Sequence, residues 1–273
     1  MNYGPDNEVF AGLEKFGLSD VLEKNLELFE PEPPKEAPKK EKKVRQINVD
    51  EFIYEKSYVC PVCDFHFKSY TLKHGKVRIK SIEFDLRPIY TSIEPLFYDV
   101  ILCEGCGYAA VSESFDKIHK REAERVLSEI TPQFRPIPYP KEPSIEMAID
   151  RYKLALLNSV IRQAKEGERA YMCMKLTWLY RIKGEEFLNE RKFASLTLRG
   201  FTSAIQKETT PIMGISENAI LYIIAAFSTF LGDKVNALKI LSNLIVSKST
   251  SNRLKNRAID LKDTVTSLKS KGL

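Results

Sequence analysis

Hydrophobic residues recur every three to four positions over the second half of the chain, with charged residues between them. This period places the apolar side chains on one face of a helix, and Gly, Pro and Asp interrupt it at intervals. Segments of this kind, joined by short turns without strands between them, are typical of stacked helical hairpins. The predicted helices cover 144–165, 168–183, 185–207, 216–231, 233–248 and 252–270.

Part of this pattern is similar to the tetratricopeptide repeat, in which small residues mark the positions where two helices cross closely. Leu221 and Ala225 precede the turn at Gly232 in the order that the repeat requires. Ala237 follows the turn, and the segment around Trp178 fits the repeat more loosely. The sequence therefore predicts a tetratricopeptide-like stack with a groove for a peptide or a helix.

The first half of the chain contains short runs rich in aromatic and β-branched residues. Two of them, 65–72 and 77–86, have a residue composition typical of β-strands. His74 and Gly75 between them indicate a turn, so we predict a hairpin. Near Ser81 the apolar residues change from one side of the strand to the other, which predicts a bulge there.

The remaining segments connect or precede these elements. A further strand is predicted over 96–103 and a charged helix over 114–130, and the prolines of 131–143 mark a domain boundary. Residues 1–30 form a predicted amphipathic helical arm, which would dock on the body or bind another molecule. Residues 31–49 combine Pro with dense Lys and Glu, as in an extended, solvated linker.

The composition is that of an ordinary soluble globular protein, with 43% hydrophobic and 29% charged residues. A length of 273 residues predicts about two domains, and a net charge of +5 permits contact with nucleic acid without arguing for it. The first residues lack the pattern of a secretory signal. The longest uncharged apolar run, 219–231, is shorter than the ~18 residues of a membrane span. We expect a cytoplasmic protein without membrane contact, with 219–231 as a buried helix.

Four of the five cysteines form two C-x-x-C pairs, Cys60 with Cys63 and Cys103 with Cys106. Two such pairs close one tetrahedral site of four thiolates, a structural Zn²⁺ site with no open position for hydrolysis. The 39 residues between the pairs exceed the usual ~15 to 20. Each doubling of a loop costs only about 0.6 kcal/mol, whereas structural zinc contributes ~10 to 16 kcal/mol. We therefore predict a zinc-ribbon-like domain with a β insertion.

Other uses of these cysteines fit their setting less well. A disulfide framework conflicts with a reducing cytoplasm, and a catalytic dithiol needs only one C-x-x-C, at a helix N-terminus. Iron bound by the same four thiolates, as in rubredoxin, stays open as the alternative metal. His66 has the spacing to replace a cysteine but is expected at the surface, and Cys173 is expected in a helical core.

The predicted fold class is therefore α+β, a small zinc-ribbon-like β domain followed by an all-α helical stack. Along the chain, the order is a helical arm (1–30), a linker (31–49), the zinc-ribbon-like domain (50–112), a connecting helix with a Pro-rich loop (113–143) and the tetratricopeptide-like domain (144–273).

Several motifs occur in a characteristic order: Cys60-Pro-Val-Cys63, then Arg78 with Asp85, Pro88 and Tyr90, then Pro95-x-x-Tyr98-Asp-Val, then Cys103-x-x-Cys106-Gly-Tyr-Ala-Ala110 and the helical array. This order resembles the bacterial family named domain of unknown function 2225, over roughly Tyr54 to Leu268. The resemblance implies a zinc-ribbon-like head followed by a tetratricopeptide-like tail. It also implies a bacterial, often clostridial, cytoplasmic protein, and no activity is established for the family. Glu83 stands where the family has an aspartate.

Three functions remain open. The first is a non-enzymatic adaptor that binds a protein or peptide through the helical stack, because the chain has three histidines and no phosphate-binding glycine loop or hydrolase motif. The second is nucleic-acid binding by a basic hairpin with interleaved aromatic residues, unless those rings are buried and the lysines merely solvated. The basic residues of that hairpin are Lys68, Lys73, Lys76, Arg78 and Lys80.

The third function is an enzyme that uses the polar residues of the insertion. Carboxylates near a tyrosine can perform acid–base chemistry, provided that they converge in a deep pocket. The alternative is a purely structural role. Asp85 and Arg87 lie two positions apart on one strand face and would form an ion pair, and tyrosines commonly pack with only the hydroxyl exposed. The candidate residues are Glu83, Asp85, Arg87, Tyr90 and Tyr98.

Overall fold

The computed structural model describes residues 48–73, 75–184 and 186–270, and the side chains of 268–270 are not among its described parts. The predicted arm over 1–30 lies outside these residues, as do most of the predicted linker over 31–49 and the turn residue His74.

Strands in the first half of the described chain form three separate antiparallel pairs. The first two strands pair along their full length, from Ile53 opposite Leu72 to Val59 opposite His66. The other pairs are short, and the third strand has a register shift between Ile79 and Ser81, which confirms the predicted bulge. The pairs are β1 (Ile53–Val59) with β2 (His66–Leu72), β3 (Ile79–Ile82) with β4 (Pro88–Tyr90), and β5 (Val100–Leu102) with β6 (Ala109–Val111).

The predicted hairpin between 65–72 and 77–86 is wrong. β2 pairs with β1 and β3 pairs with β4, so the chain near Gly75 connects two different sheets. The cysteine turn after β1 reverses the chain and thereby gives β2 its partner. The predicted strand 77–86 ends at Ile82 because the chain turns there: the Glu83 amide donates to the Arg87 carbonyl at 2.8 Å, and Leu86 adopts a φ of 68°.

The helices that follow agree with the predicted hairpin stack in number and order. The predicted helix 114–130 is shorter, because a 3-10 turn at Phe115–Lys117 precedes it. Similarly, a 3-10 turn at Pro95–Phe97 replaces the start of the predicted strand 96–103. The helices of the described chain are α1 (Lys120–Glu129), α2 (Ile145–Ile161), α3 (Glu166–Lys183), α4 (Phe187–Lys207), α5 (Glu217–Leu231), α6 (Lys234–Val246) and α7 (Asn252–Ser270).

Local sequence explains where several helices begin and end. The Ser144 hydroxyl accepts from the Met147 amide at 3.3 Å and caps α2. The Asp233 carboxylate accepts from the Asn236 amide at 3.1 Å and caps α6. Helix α5 ends at Gly232, whose φ of 95° is the left-handed conformation that glycine adopts most readily.

The strands β5 and β6 lie between two hydrophobic cores. Side chains on one face, including Ile101 and Ala110, join the core that contains the cysteines. Side chains on the other face, including Val100, Leu102 and Val111, join the core of the helical stack. Both faces are buried, so the small sheet connects the metal-binding region to the helices.

Helices α3 and α4 cross closely because Gly200 has no side chain. A Cβ atom at this position would lie 2.8 Å from the Cβ of Ala170. Helix α5 is buried along most of its length, including Ala225, Ala226 and Phe227, as predicted for 219–231. No helix in the described ranges combines the length and apolarity of a membrane span.

Candidate metal centre

The first cysteine pair lies on the turn between β1 and β2. The Cys60 amide donates to the Phe65 carbonyl at 3.0 Å, and the Asp64 amide donates to the Cys60 carbonyl at 3.0 Å. Asp64 has a φ of 56°, which an aspartate tolerates better than most residues. The Val62 amide also points at the Cys60 sulfur, at 3.4 Å. Both cysteines of the pair thus lie within one hydrogen-bonded turn.

The second pair repeats this geometry between β5 and β6. The Cys103 amide donates to the Tyr108 carbonyl at 2.8 Å, and the Gly107 amide donates to the Cys103 carbonyl at 2.9 Å. Two features favour glycine at position 107. Its φ is 79°, and a Cβ atom there would lie 2.5 Å from the Phe134 ring. The two pairs therefore form equivalent turns that face each other.

The four sulfurs meet at one point, as predicted. Cys60 and Cys106 lie 3.7 Å apart and Cys63 and Cys103 lie 3.6 Å apart, measured between sulfurs. All four ligand atoms lie within 4.8 Å of one another. A tetrahedron with Zn–S bonds of ~2.3 Å has edges of about 3.8 Å. The cluster thus has the size that a four-thiolate metal site needs.

The cysteine cluster is largely buried. Cys60, Cys103 and Cys106 are fully buried, and Cys63 is partly exposed. Hydrogen bonds from the Cys106 and Cys60 thiols lower the pKa of Cys103, to about 2, whereas the bond to Cys103 raises the pKa of Cys106. The neighbouring thiols thus favour a thiolate at Cys103, and a bound metal ion would supply the positive charge that stabilises a cluster of thiolates.

Two further side chains of ligand type, which were expected outside the metal site, lie where the sequence predicts. His66 is exposed at the start of β2, outside the four-cysteine group. Cys173 is buried in α3, where desolvation raises the pKa of its thiol to about 11. Cys173 thus has the properties of an inert core thiol.

The predicted nucleic-acid residues do not lie on one hairpin. Lys68 is on β2 and pairs with Glu55 at 2.9 Å, whereas Arg78 and Lys80 belong to the region of β3 in another sheet. Lys73 donates to the Asp50 carbonyl at 2.6 Å, and Lys76 lies in the turn between the sheets.

The aromatic residues beside these bases differ in how far they are exposed, and Tyr70 is half-buried. The Phe67 ring is buried and stacks on Tyr58, with ring centroids 5.7 Å apart. Phe65 is 45% exposed. Nucleic-acid binding stays a prediction, and undetectable binding to DNA and RNA at low salt would remove it.

The acidic side chains of the insertion anchor it to the helical stack. Asp85 is fully buried, and its Oδ2 accepts from the Trp178 indole at 3.0 Å and pairs with Arg181 at 2.8 Å. Arg181 also pairs with Glu83 at 2.8 Å and with Glu190 at 2.8 Å. Buried charges need such partners, so this network fixes the insertion against α3. Trp178, Arg181 and Glu190 were missed by sequence reasoning.

Asp85 and Arg87 do not pair through their side chains. The Arg87 guanidinium instead pairs with Glu83 at 3.4 Å and with Glu94 at 3.1 Å. Tyr98 is buried elsewhere and donates to the Lys141 carbonyl at 3.0 Å. Arg87 and Tyr90 line one small cavity, whereas Glu83, Asp85 and Tyr98 are not part of its lining. The five candidate residues thus do not all meet in one pocket, and a catalytic role for them stays a prediction.

Three comparisons with known proteins give one match, which supports the family resemblance of the sequence motifs. No curated protein and no solved structure matches the chain. One family model, described as an uncharacterized protein conserved in bacteria (DUF2225), matches residues 53–265. That range begins at β1 and ends within α7, so it includes both cysteine turns and the helical stack. The chain belongs to this uncharacterised bacterial family.

Proposed function

We propose that this protein is a non-enzymatic cytoplasmic adaptor that binds a protein or peptide in a groove of its helical stack. The supporting observation is an open groove of about 450 Å³ between α2, α3 and α4. The apolar part of the groove is lined by Leu156, Val160, Ala170, Cys173 and Leu196.

The groove leaves apolar surface in contact with water. Val160 at its edge is 48% exposed, and the neighbouring Leu157 is 50% exposed. Exposed apolar surface bordered by polar residues is typical of a protein interaction site. A groove between helices takes the apolar face of an amphipathic helix.

The charges beside the groove favour an acidic partner. Arg169 and Arg199 line it, and neither has a carboxylate oxygen within 4.0 Å among the residues described. The nearby Glu166 is already paired with Lys207 at 2.9 Å. Two available guanidinium groups therefore face the groove, and we assign to it an amphipathic helix with acidic residues on its polar face.

The metal centre supports this function by fixing structure. Four thiolates saturate a zinc ion, so the ion stabilises the fold and carries no reaction. The Asn158 side chain of α2 donates to the Gly107 carbonyl of the second cysteine turn at 3.0 Å. The same helix contributes Leu156 and Val160 to the groove. Metal binding thereby holds one wall of the groove in place.

Zinc is the proposed ion, with iron as the alternative, because four thiolates suit both. Metal analysis of untagged, purified protein is expected to give one zinc ion per chain. A red, iron-loaded protein would overturn the assignment of zinc and leave the adaptor function untouched.

Peptide selection tests the groove directly. Helical peptides displayed on phage and selected against the zinc-loaded full chain are expected to converge on amphipathic sequences with acidic polar faces. Val160→Asp is expected to weaken the selected peptide about tenfold, because it removes apolar contact. Arg199→Glu is expected to weaken it and to reduce its dependence on salt.

Matched exposed residues outside the groove provide the controls. Val235→Asp changes a valine that is 77% exposed on α6, and Arg253→Glu reverses a charge on α7. Both controls should bind the peptide normally. Selection of peptides without an apolar face, or equal losses in the control variants, would contradict the proposal.

A further inference from the structure

A second cavity, separate from the groove and the metal centre, lies between β4, the turn at 95–97 and α3. Its volume is about 200 Å³, below the ~300 to 1,000 Å³ of pockets for drug-sized ligands. Polar and aromatic side chains dominate its lining. The polar groups that could contact a ligand in it include Tyr90, Glu94, Asp99, Glu113, Tyr171 and Lys175.

Lys175 lines this cavity, and its positively charged ammonium group has no direct ionic partner among the residues described. Its ammonium group lies 4.7 Å from the centre of the Tyr171 ring and 5.0 Å from that of Trp178. Within the described ranges, no carboxylate oxygen lies within 4.0 Å of it. Withdrawing an ammonium group from water in this way is costly unless an anion or an acceptor compensates. The Tyr171 oxygen and the Asp99 carboxylate supply compensation from the chain. Because no carboxylate of the described residues forms a direct ion pair with the ammonium group, it can still pair with an anionic group of a ligand.

The ammonium group remains charged at neutral pH. Desolvation alone would lower the pKa of Lys175, but the Tyr171 oxygen and the Asp99 carboxylate outweigh this effect and raise the pKa. A lysine that is protonated at neutral pH is a poor nucleophile toward a carbonyl compound. Lys175 is thus suited to binding an anion and not to nucleophilic chemistry.

Two of the three carboxylates in the cavity already have partners from the chain. Glu94 accepts from the Leu96 amide at 3.3 Å and pairs with Arg87. Asp99 accepts from the Tyr152 hydroxyl at 2.8 Å.

The third carboxylate, Glu113, is exposed at the mouth of the cavity. It forms no ion pair with any other residue that the structure describes. One anion and one cation, Glu113 and Lys175, are thus both available on the same small cavity.

We infer that this cavity binds a small zwitterion of the amino-acid type. The ligand carboxylate pairs with Lys175, beside the Tyr90 and Tyr171 side chains, and the ligand ammonium group faces Glu113. The aromatic rings contact the ligand side chain. This site is independent of the peptide groove, because the two cavities share no lining residue.

Calorimetry with a panel of the twenty protein amino acids tests the inference, using the zinc-loaded full chain. For the tightest binder, its decarboxylated amine and its deaminated acid are the matched probes. The amino acid is expected to bind at least tenfold more tightly than either, since each lacks one of two charge-assisted contacts. Absence of binding across the panel, or equal binding of either matched probe, overturns the inference.

Variants locate the site. Lys175→Gln is expected to weaken binding at least tenfold, and Glu113→Gln severalfold; because Glu113 is exposed, its replacement leaves the fold intact. Lys239→Gln, on the exposed surface of α6, is the matched control and should bind as the natural protein does. Unchanged binding in Glu113→Gln overturns the proposed orientation, and unchanged binding in a folded Lys175→Gln protein overturns the site.

Discussion

The β head (residues 48–118) and the helical stack (residues 145–270) are stabilised in different ways. Strands of the head outside β1 and β2 have only three or four residues, and its own core includes three fully buried cysteines. Helices of the stack have 13 to 21 residues and pack around two hydrophobic cores of aliphatic and aromatic side chains. A small core rarely stabilises a fold alone, so we expect the head to depend on a metal ion and the stack to depend on packing.

The two regions are nevertheless not independent. The sheet of β5 and β6 contributes one face to each core, and the Arg151 guanidinium of α2 donates to the Val100 carbonyl at 3.2 Å. A change that unfolds the head therefore removes part of the surface on which the stack packs. The metal site thus connects to the stack through this shared sheet and through the bond from Asn158 to the Gly107 carbonyl.

Loss of the metal should produce the largest effect and separate the two regions. Structural zinc contributes ~10 to 16 kcal/mol in small domains, which is as much as the whole stability of an ordinary domain, ~5 to 15 kcal/mol. Cys63→Ser is expected to lose zinc and to unfold β1 and β2, while α5 remains folded. Hydrogen exchange should show lost protection in the strands and retained protection at Ala225 to Phe227.

Cys173→Ser provides the control for this prediction, since Cys173 is the one cysteine outside both pairs. This variant should keep its zinc and the protection of β1 and β2. Retained protection of those strands in the metal-free Cys63→Ser protein would show that the head does not depend on the metal.

The second prediction concerns the ion network that joins the insertion to the stack. Asp85→Ala leaves Arg181 with Glu83 and Glu190 but removes a fully buried charge partner. We expect a loss of about 3 kcal/mol in the free energy of unfolding, at the lower end of the ~3 to 5 kcal/mol for broken buried pairs. Urea denaturation measures it.

An exposed ion pair on the head is the matched comparison. Glu55→Gln breaks the pair with Lys68, in which both side chains are largely in contact with water. Such pairs contribute little, so this variant should unfold at nearly the same urea concentration as the natural protein. Equal losses in the two variants would show that burial does not govern the strength of these pairs.

The metal ligands could be predicted from the sequence because the geometry of each cysteine turn is local. The bonds that shape the first turn connect Cys60 with Asp64 and Phe65, at most five positions away. Spacing alone therefore indicates where each pair of sulfurs points. The helices could be predicted for a similar reason, since their apolar period is visible within each segment.

Strand pairing could not be predicted in the same way. His74 and Gly75 carry a turn signal, but the signal does not say whether the flanking strands belong to one sheet. The contact between Trp178 and Asp85 spans 93 positions. Sequence reasoning placed Trp178 in a loosely fitting helical repeat and Asp85 beside Arg87, because a single sequence shows no link between distant positions.

The last prediction tests a property that both regions share. Burial raises the pKa of Tyr98 in the head and of Tyr222 in the stack to about 12, from an ordinary 10.0. A phenol whose pKa is higher in the folded state stabilises the fold fully below pH 10, and this stabilisation is lost as the pH rises toward 12. Tyr98→Phe loses one hydrogen bond, about 1 kcal/mol, at neutral pH.

Between pH 10 and 12, the Tyr98→Phe protein should lose less stability than the natural protein, so the difference between them shrinks. Tyr222→Phe should show the same trend, because desolvation is the main cause of both shifts. Urea denaturation at pH 7 and at pH 11 measures both variants. A difference that stays constant with pH would show that these phenols titrate alike in the folded and unfolded chain. A trend in only one variant would show that burial affects ionisation differently in the head and the stack.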